Sequence, residues 1–270
     1  MRRYPVLAAL VVALALVLAP FLAIAVNAVK SPSDYATHGP LALPHGLYLA
    51  GIVDFWQRVG FGRKLINSFV VSLAVAVLGV ALSVLNAYAL GIGRVRGRVW
   101  FGVFFLVANL LPQEVLVYPL YYMAKSVGLY DSLSIVVIVF TVIQSAFGMY
   151  LLSSVYATFP TELLDAAEVD GAGRLRVLVR IVVPVSRPTL TVLFTFFFIW
   201  TWNEFFLPLI FLISNDNQTV PVVLGILQGQ RLMDATTTSA SALIGILPAI
   251  GFFLVFQRTL TRGIMSGAVR

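Results

Sequence analysis

Two carboxylates sit where carboxylates are costly. Glu114 and Glu204 lie inside long apolar stretches, in Pro112-Gln-Glu-Val-Leu-Val-Tyr-Pro119 and Trp202-Asn-Glu-Phe-Phe-Leu-Pro208. An ionised side chain at the centre of a bilayer costs at least ~2.5–3.5 kcal/mol on insertion scales, so it faces a cavity or a partner and not lipid. Two roles are open to this pair. One is a polar clamp between helices or subunits. The other is the lining of a path for a polar solute, with Trp202 and Asn203 beside it. Tryptophan can stack on a sugar ring, but it also packs and anchors at interfaces. The two histidines, His38 and His45, share one polar loop and read as solvated residues, because a zinc site needs more ligands. The chain has no cysteine, which removes disulfides and thiolate metal sites. No Ser/His/Asp set and no basic phosphate pocket falls within the apolar stretches, so an intramembrane enzyme is the weakest reading.

The densest charge lies elsewhere. From Pro160 to Arg187 the sequence carries the acids Glu162, Asp165, Glu168 and Asp170, then Arg174, Arg176, Arg180 and Arg187, in a chain only 11% charged. Pro160 suits a first helical turn, and Glu162 complements the positive helix start. Ala166 and Ala167 leave a shaved face that another surface could approach. Gly171 can take a positive φ and end the helix. Leu175, Leu178, Ile181 and Val182 then recur at helical spacing, and Pro184 is expected to close this second piece. Either an amphipathic connector or a docking element fits these properties.

The elements that must position these residues are apolar helices. The chain has 270 residues, is 60% hydrophobic and has a mean hydropathy of +0.97, well above the 45–50% apolar content of soluble domains. It reads as an all-α integral membrane protein with six spans, near residues 6–26, 65–92, 99–123, 133–155, 189–213 and 240–256. The first could be a cleaved signal, given Ala23-Ile-Ala25, but its length favours an uncleaved span. Pro112 and Pro119 are expected to kink the third span. Residues 1–64 form a first span plus a polar outer loop. Residues 65–270 form a five-helix core with a charged loop at 156–187. With the N-terminus inside, twelve of the eighteen arginines and lysines fall inside and six outside, which supports cytoplasmic termini and a cytoplasmic charged loop. Counted along straight helices from residues 99 and 189, Glu114 and Glu204 each lie about 22 Å from the inner boundary.

The order Asp165-Ala166-Ala167, three residues, Gly171, nine residues, Ile181-Val-Val-Pro184 resembles the "EAA" loop of permease subunits in binding-protein-dependent ATP-binding-cassette importers. Asp165 stands for the usual Glu and Val183 for the usual Leu. The stretches at 112–119 and 202–208 resemble the carbohydrate branch, in particular the second permease subunit of the maltose/maltodextrin type. So do Asn217-Gln-Thr-Val-Pro221, Phe256-Gln-Arg and Arg262-Gly-Ile-Met-Ser-Gly-Ala-Val269. The resemblance covers most of residues 65–270. It implies a MetI-like type I importer fold whose charged loop is a coupling helix, with Glu162, Asp165, Ala166, Ala167, Asp170, Gly171, Arg174, Ile181 and Pro184 facing or shaping an ATPase contact. It also implies a second permease subunit, two ATPase copies that hold ATP and Mg, and an extracytoplasmic solute-binding protein.

The chain itself lacks a phosphate-binding loop. Its only lysines, Lys30, Lys64 and Lys125, follow Val29, Arg63 and Ala124 and not glycine. Its positive charge reads as membrane topology, not as nucleic-acid binding. The expected function is import of a sugar across the plasma membrane. The alternatives are a non-sugar solute such as a phosphorylated polyol, or a secondary transporter, for which no internal repeat is evident.

Overall fold

The computed structural model describes residues 3–93, 95–229 and 234–268, with side chains omitted at 3, 228, 229, 256 and 258–268. Arg2, Arg94, Arg231 and Arg270, which enter the charge count, lie outside the described residues, as do Val269 and the side chains of Arg258 and Arg262. The described residues are helical and contain no strand. In order they form α1 (Arg3–Ala28), α2 (Pro32–His38), α3 (Ala50–Arg58), α4 (Phe61–Ala87), α5 (Arg98–Leu110), α6 (Gln113–Ser126), α7 (Leu133–Ala157), α8 (Thr161–Val169), α9 (Arg174–Val177), α10 (Val183–Trp202), α11 (Phe206–Phe211), α12 (Val220–Gly229) and α13 (Ala235–Ala268).

Five helical segments are long and apolar enough to cross a membrane: Tyr4–Ala28, Phe61–Ile92, Leu133–Ala157, Arg174–Trp202 and Ala235–Val255. A sixth arises if α5 and α6 count as one broken span, bent by 97°. The break has a local cause. Proline disfavours helical backbone in the residue before it, and Leu111 and Pro112 are both extended, at ψ 127° and 139°. Pro119, the other expected kink, sits inside α6 without ending it. A 97° turn is far more than a kink, so the straight-helix depth of Glu114 does not hold.

The fifth span also differs from expectation. It starts at Arg174, not near residue 189, and Pro184 does not close a helix. A π-helical turn, Leu178–Val182, joins α9 directly to α10. That wider turn comes just before Pro184, whose ring would otherwise collide with the carbonyl four residues back. The span ends at Trp202, ahead of the expected boundary.

The chain divides into two compact units. One joins Met1–Leu65 with Val220–Gly251, a grouping that chain order does not reveal. Its core packs Phe55, Val59 and Phe61 against Val220 and Val223. Within it α1 is apolar all round and exposed through most of its length, as suits a helix solvated by lipid. The other unit comprises Ile66–Thr219 and Phe252–Arg270. Its core gathers Val71 and Val75 of α4, Ile135, Val136, Val139 and Phe140 of α7, and Leu207, Phe211 and Leu212 at α11. Small residues set its tightest approach. A Cβ on Gly148 would lie 2.2 Å from Ser83 Oγ and 2.9 Å from Phe197 Cζ, so α4, α7 and α10 meet at that glycine.

Candidate functional site: the charged loop and the broken helices

The charged loop folds as its sequence dictates. Pro160 is the N-cap of α8, with ψ 117°, and Glu162 lies in the first turn. At the other end Gly171 has φ 67° with open space where a Cβ would sit. The Ala172 amide donates to Ala167 O at 2.9 Å and the Gly171 amide to Glu168 O at 3.0 Å. These two bonds form a complete Schellman ending, which satisfies carbonyls that a helix end leaves open. Gly173 then caps α9, and the Val177 amide bonds to its carbonyl at 3.1 Å.

The loop has an inner and an outer face. Ala167, Val177, Leu178 and Val182 are buried, while Glu162, Asp165, Ala166, Glu168, Asp170, Arg174 and Arg176 are exposed. The two alanines therefore differ: Ala166 is open, but Ala167 is packed within the chain and not available to a partner. Ile181 is half-buried and Pro184 exposed. Among the described residues, none of the four loop acids is ion-paired. Apolar groups stand beside them, with Val169 88% and Leu175 72% exposed. The Tyr88 hydroxyl, in the π-helical turn Tyr88–Ile92 that ends the second span, donates to Arg174 O at 3.2 Å. This bond ties the start of α9 to a neighbouring span.

The second set of residues gathers at two helix breaks. Glu114 is exposed in the first turn of α6, just after the 97° bend. Asn203 and Glu204 fill the gap between α10 and α11. The Asn203 side-chain amide donates back to Ile199 O at 2.7 Å, and Glu204 Oε1 accepts the Phe206 amide at 3.2 Å. Helices α6 and α11 pack together, and each acid sits at a helix break, Glu114 in the first turn of α6 and Glu204 just before α11. Asn203 is exposed, Glu204 half-buried, and Trp202 only 4% exposed and stacked on Phe198. In this chain Trp202 holds a packing position.

Sequence reasoning missed several partners. Gln144 Nε2 donates to Thr201 Oγ1 at 2.8 Å, a buried bridge from α7 to α10. Its signal was a lone glutamine within an apolar span. Asn67 Nδ2 donates to Asp216 O and Gln218 O at 2.7 and 3.0 Å, fixing the loop after α11.

Comparison with known proteins agrees with this geometry. Residues 79–265 match the family described as binding-protein-dependent transport system inner membrane component. A putative ATP-binding-cassette transporter permease protein of Streptomyces antibioticus is 32% identical over 228 residues, covering 84% of this chain and 100% of that one. The melibiose/raffinose/stachyose import permease protein MelC of Bacillus subtilis is 27% identical, covering 93% and 91%. The sn-glycerol-3-phosphate transport system permease protein UgpE of Rhizobium meliloti is 28% identical, covering 89% and 86%. A crystal structure of a bacterial transporter that imports alginate has a chain superposing with a TM-score of 0.74 over 95% of this chain and 96% of its own, at 22% identity. This chain therefore belongs to the binding-protein-dependent transport system inner membrane components.

Proposed function

We propose that the chain is the membrane subunit of a sugar importer, driven by ATP hydrolysis in partner subunits that dock on the loop Thr161–Arg176. One observation carries this reading: the unpaired acids of α8 and the exposed apolar side chains Val169 and Leu175 lie on the outer face of a loop whose second helix, α9, runs through a π-helical turn into the fifth span. In water such a face stays partly unsatisfied, and a partner with matching basic and apolar groups would cover it. The complete assembly then comprises a second permease, two cytoplasmic ATPase copies that hold ATP and Mg, and an extracytoplasmic binding protein. The termini and the loop face the cytoplasm of a plasma-membrane protein, as the arginine and lysine distribution indicates.

The path for the solute runs past Glu114, Asn203 and Glu204, with Trp202 packed behind them. Their chemistry bears on the substrate. Two carboxylates and an amide offer hydrogen-bond acceptors and donors to a polyhydroxylated solute, and they repel a phosphate. A neutral sugar or oligosaccharide is therefore favoured over a phosphorylated polyol, although relatives include permeases named for both.

The test is the assembled transporter in proteoliposomes, supplied with its binding protein. Raffinose-loaded binding protein should stimulate ATP hydrolysis and drive uptake, and sn-glycerol 3-phosphate should do neither. Stimulation by the phosphate ester alone would overturn the substrate class. Hydrolysis indifferent to the binding protein would overturn the importer reading.

A further inference from the structure

We propose that Asp34, His38 and His45 form a binding site for a zinc-class divalent metal ion. The chain contains only two histidines, and both bring Nδ1 to one oxygen of one carboxylate. His38 Nδ1 lies 2.9 Å and His45 Nδ1 3.0 Å from Asp34 Oδ1, and the three ligand atoms all lie within 4.8 Å of one another. Ligands held ~2.0–2.1 Å from a tetrahedral zinc sit about 3.3 Å apart. Opening the cluster by a few tenths of an ångström therefore makes room for the ion.

The cluster is held by bonds that do not use the imidazoles. Ser31 caps α2 by accepting the Asp34 amide at 3.1 Å, and Asp34 and His38 follow one turn apart on one helix face. The Lys30 ammonium, only 1% exposed, donates to Gly39 O at 2.9 Å and fixes the end of α2. The His45 amide donates to Asp34 Oδ2 at 3.2 Å, and the Tyr48 amide to Val29 O at 2.9 Å, so the loop is brought back onto the helix. The imidazole centroids are 4.1 Å apart. The cluster presents two imidazole nitrogens and a carboxylate oxygen. That donor set suits zinc, cobalt or nickel, whereas calcium and magnesium take oxygen ligands. A bound ion would staple α2 to the loop at His45, with water completing its coordination.

The test uses the full transporter, purified without a histidine tag and stripped with chelator. Zinc is added stoichiometrically, and hydrogen exchange is followed over residues 31–48. Cobalt absorption gives a second readout. The parent should take up one zinc equivalent that the His38→Gln/His45→Gln double variant lacks. Exchange in this segment should slow in the parent alone. Each single variant should weaken zinc binding by about tenfold or more, at least the loss seen when an outer partner of a metal site is removed. Both side chains are exposed, so the variants keep the fold, and assembly with the ATPase checks this. Equal zinc uptake by parent and double variant, or no slowing of exchange in the parent, would overturn the site.

Discussion

Asp131 and Ser214, 83 residues apart, are joined by two hydrogen bonds: the Ser214 amide donates to Asp131 Oδ1 at 3.0 Å and its hydroxyl to Oδ2. Asp131 is the one non-glycine residue with positive φ, at 58°, among the described residues, and its carbonyl accepts Asn217 Nδ2 at 2.6 Å. This bracket joins the turn after α6 to the loop after α11. Burial pushes the carboxyl up, but Ser214, Asn217 and the Ile213 amide outweigh it and hold it below the usual carboxylate range. A depressed folded pKa contributes stability that is present above the unfolded value, near 3.9, and lost as pH falls through the folded one. Asp131→Asn tolerates the backbone and loses the charge. It should cost about 0.5–1 kcal/mol at neutral pH, given solvent screening, and abolish the acid-dependent part. Asp131→Val should cost a further ~1–3 kcal/mol from backbone strain. Thermal melts of the purified complex against pH check both.

Gly148 is the contact point of three helices. Gly148→Ala should destabilise the subunit by about 1–3 kcal/mol through overpacking against Ser83 and Phe197. Combining it with Ser83→Gly should recover part of the loss. Gly102→Ala, where a Cβ meets nothing within 4 Å, should be neutral in the same melting assay.

Coupling should fail at the outer face of the loop. Ala166→Glu leaves a folded subunit, because Ala166 is exposed, and should lower ATPase association in a pull-down. Gly171→Val forces a β-branched residue to φ 67°, at a cost of roughly 1–2 kcal/mol, and should reduce stimulated hydrolysis. Ala167→Glu should instead lower stability, because Ala167 is packed inside.

Orientation can be read with introduced cysteines, since the chain has none. Ser33→Cys and Val127→Cys should react with an impermeant thiol reagent in intact cells, and Gly173→Cys should react only after permeabilisation. The opposite pattern would invert the topology.

Glu114→Gln and Glu204→Gln should each change transport, read as uptake in proteoliposomes, while assembly with the ATPase is retained. Normal uptake in both would assign the pair to helix clamping.

Local features were legible in the sequence where a single residue decides the backbone. Gly171 ends a helix, and Pro112 interrupts one. The consequences of neighbours were not legible. That Ala167 turns inward while Ala166 does not depends on which face of α8 meets the rest of the chain. That Pro184 sits inside a helix depends on the π-helical turn before it, which has no sequence mark. The third member of the histidine cluster, Asp34, carries no sequence mark that joins it to His45, and only the return of the loop brings His45 to it. Equal depth was expected for Glu114 and Glu204 on straight helices; both instead lie at helix breaks.

The unbroken run from Arg174 to Trp202 has a mechanical meaning. Its 29 residues make a lever arm about 43 Å long at ~1.5 Å per residue. A pivot of only ~5° at the loop end swings the far end by about 4 Å, roughly the girth of a hydroxymethyl group, at the place where Asn203 and Glu204 begin. In the proposed importer, the helix needs no hinge of its own to turn a small displacement at the loop into an aperture at the acids.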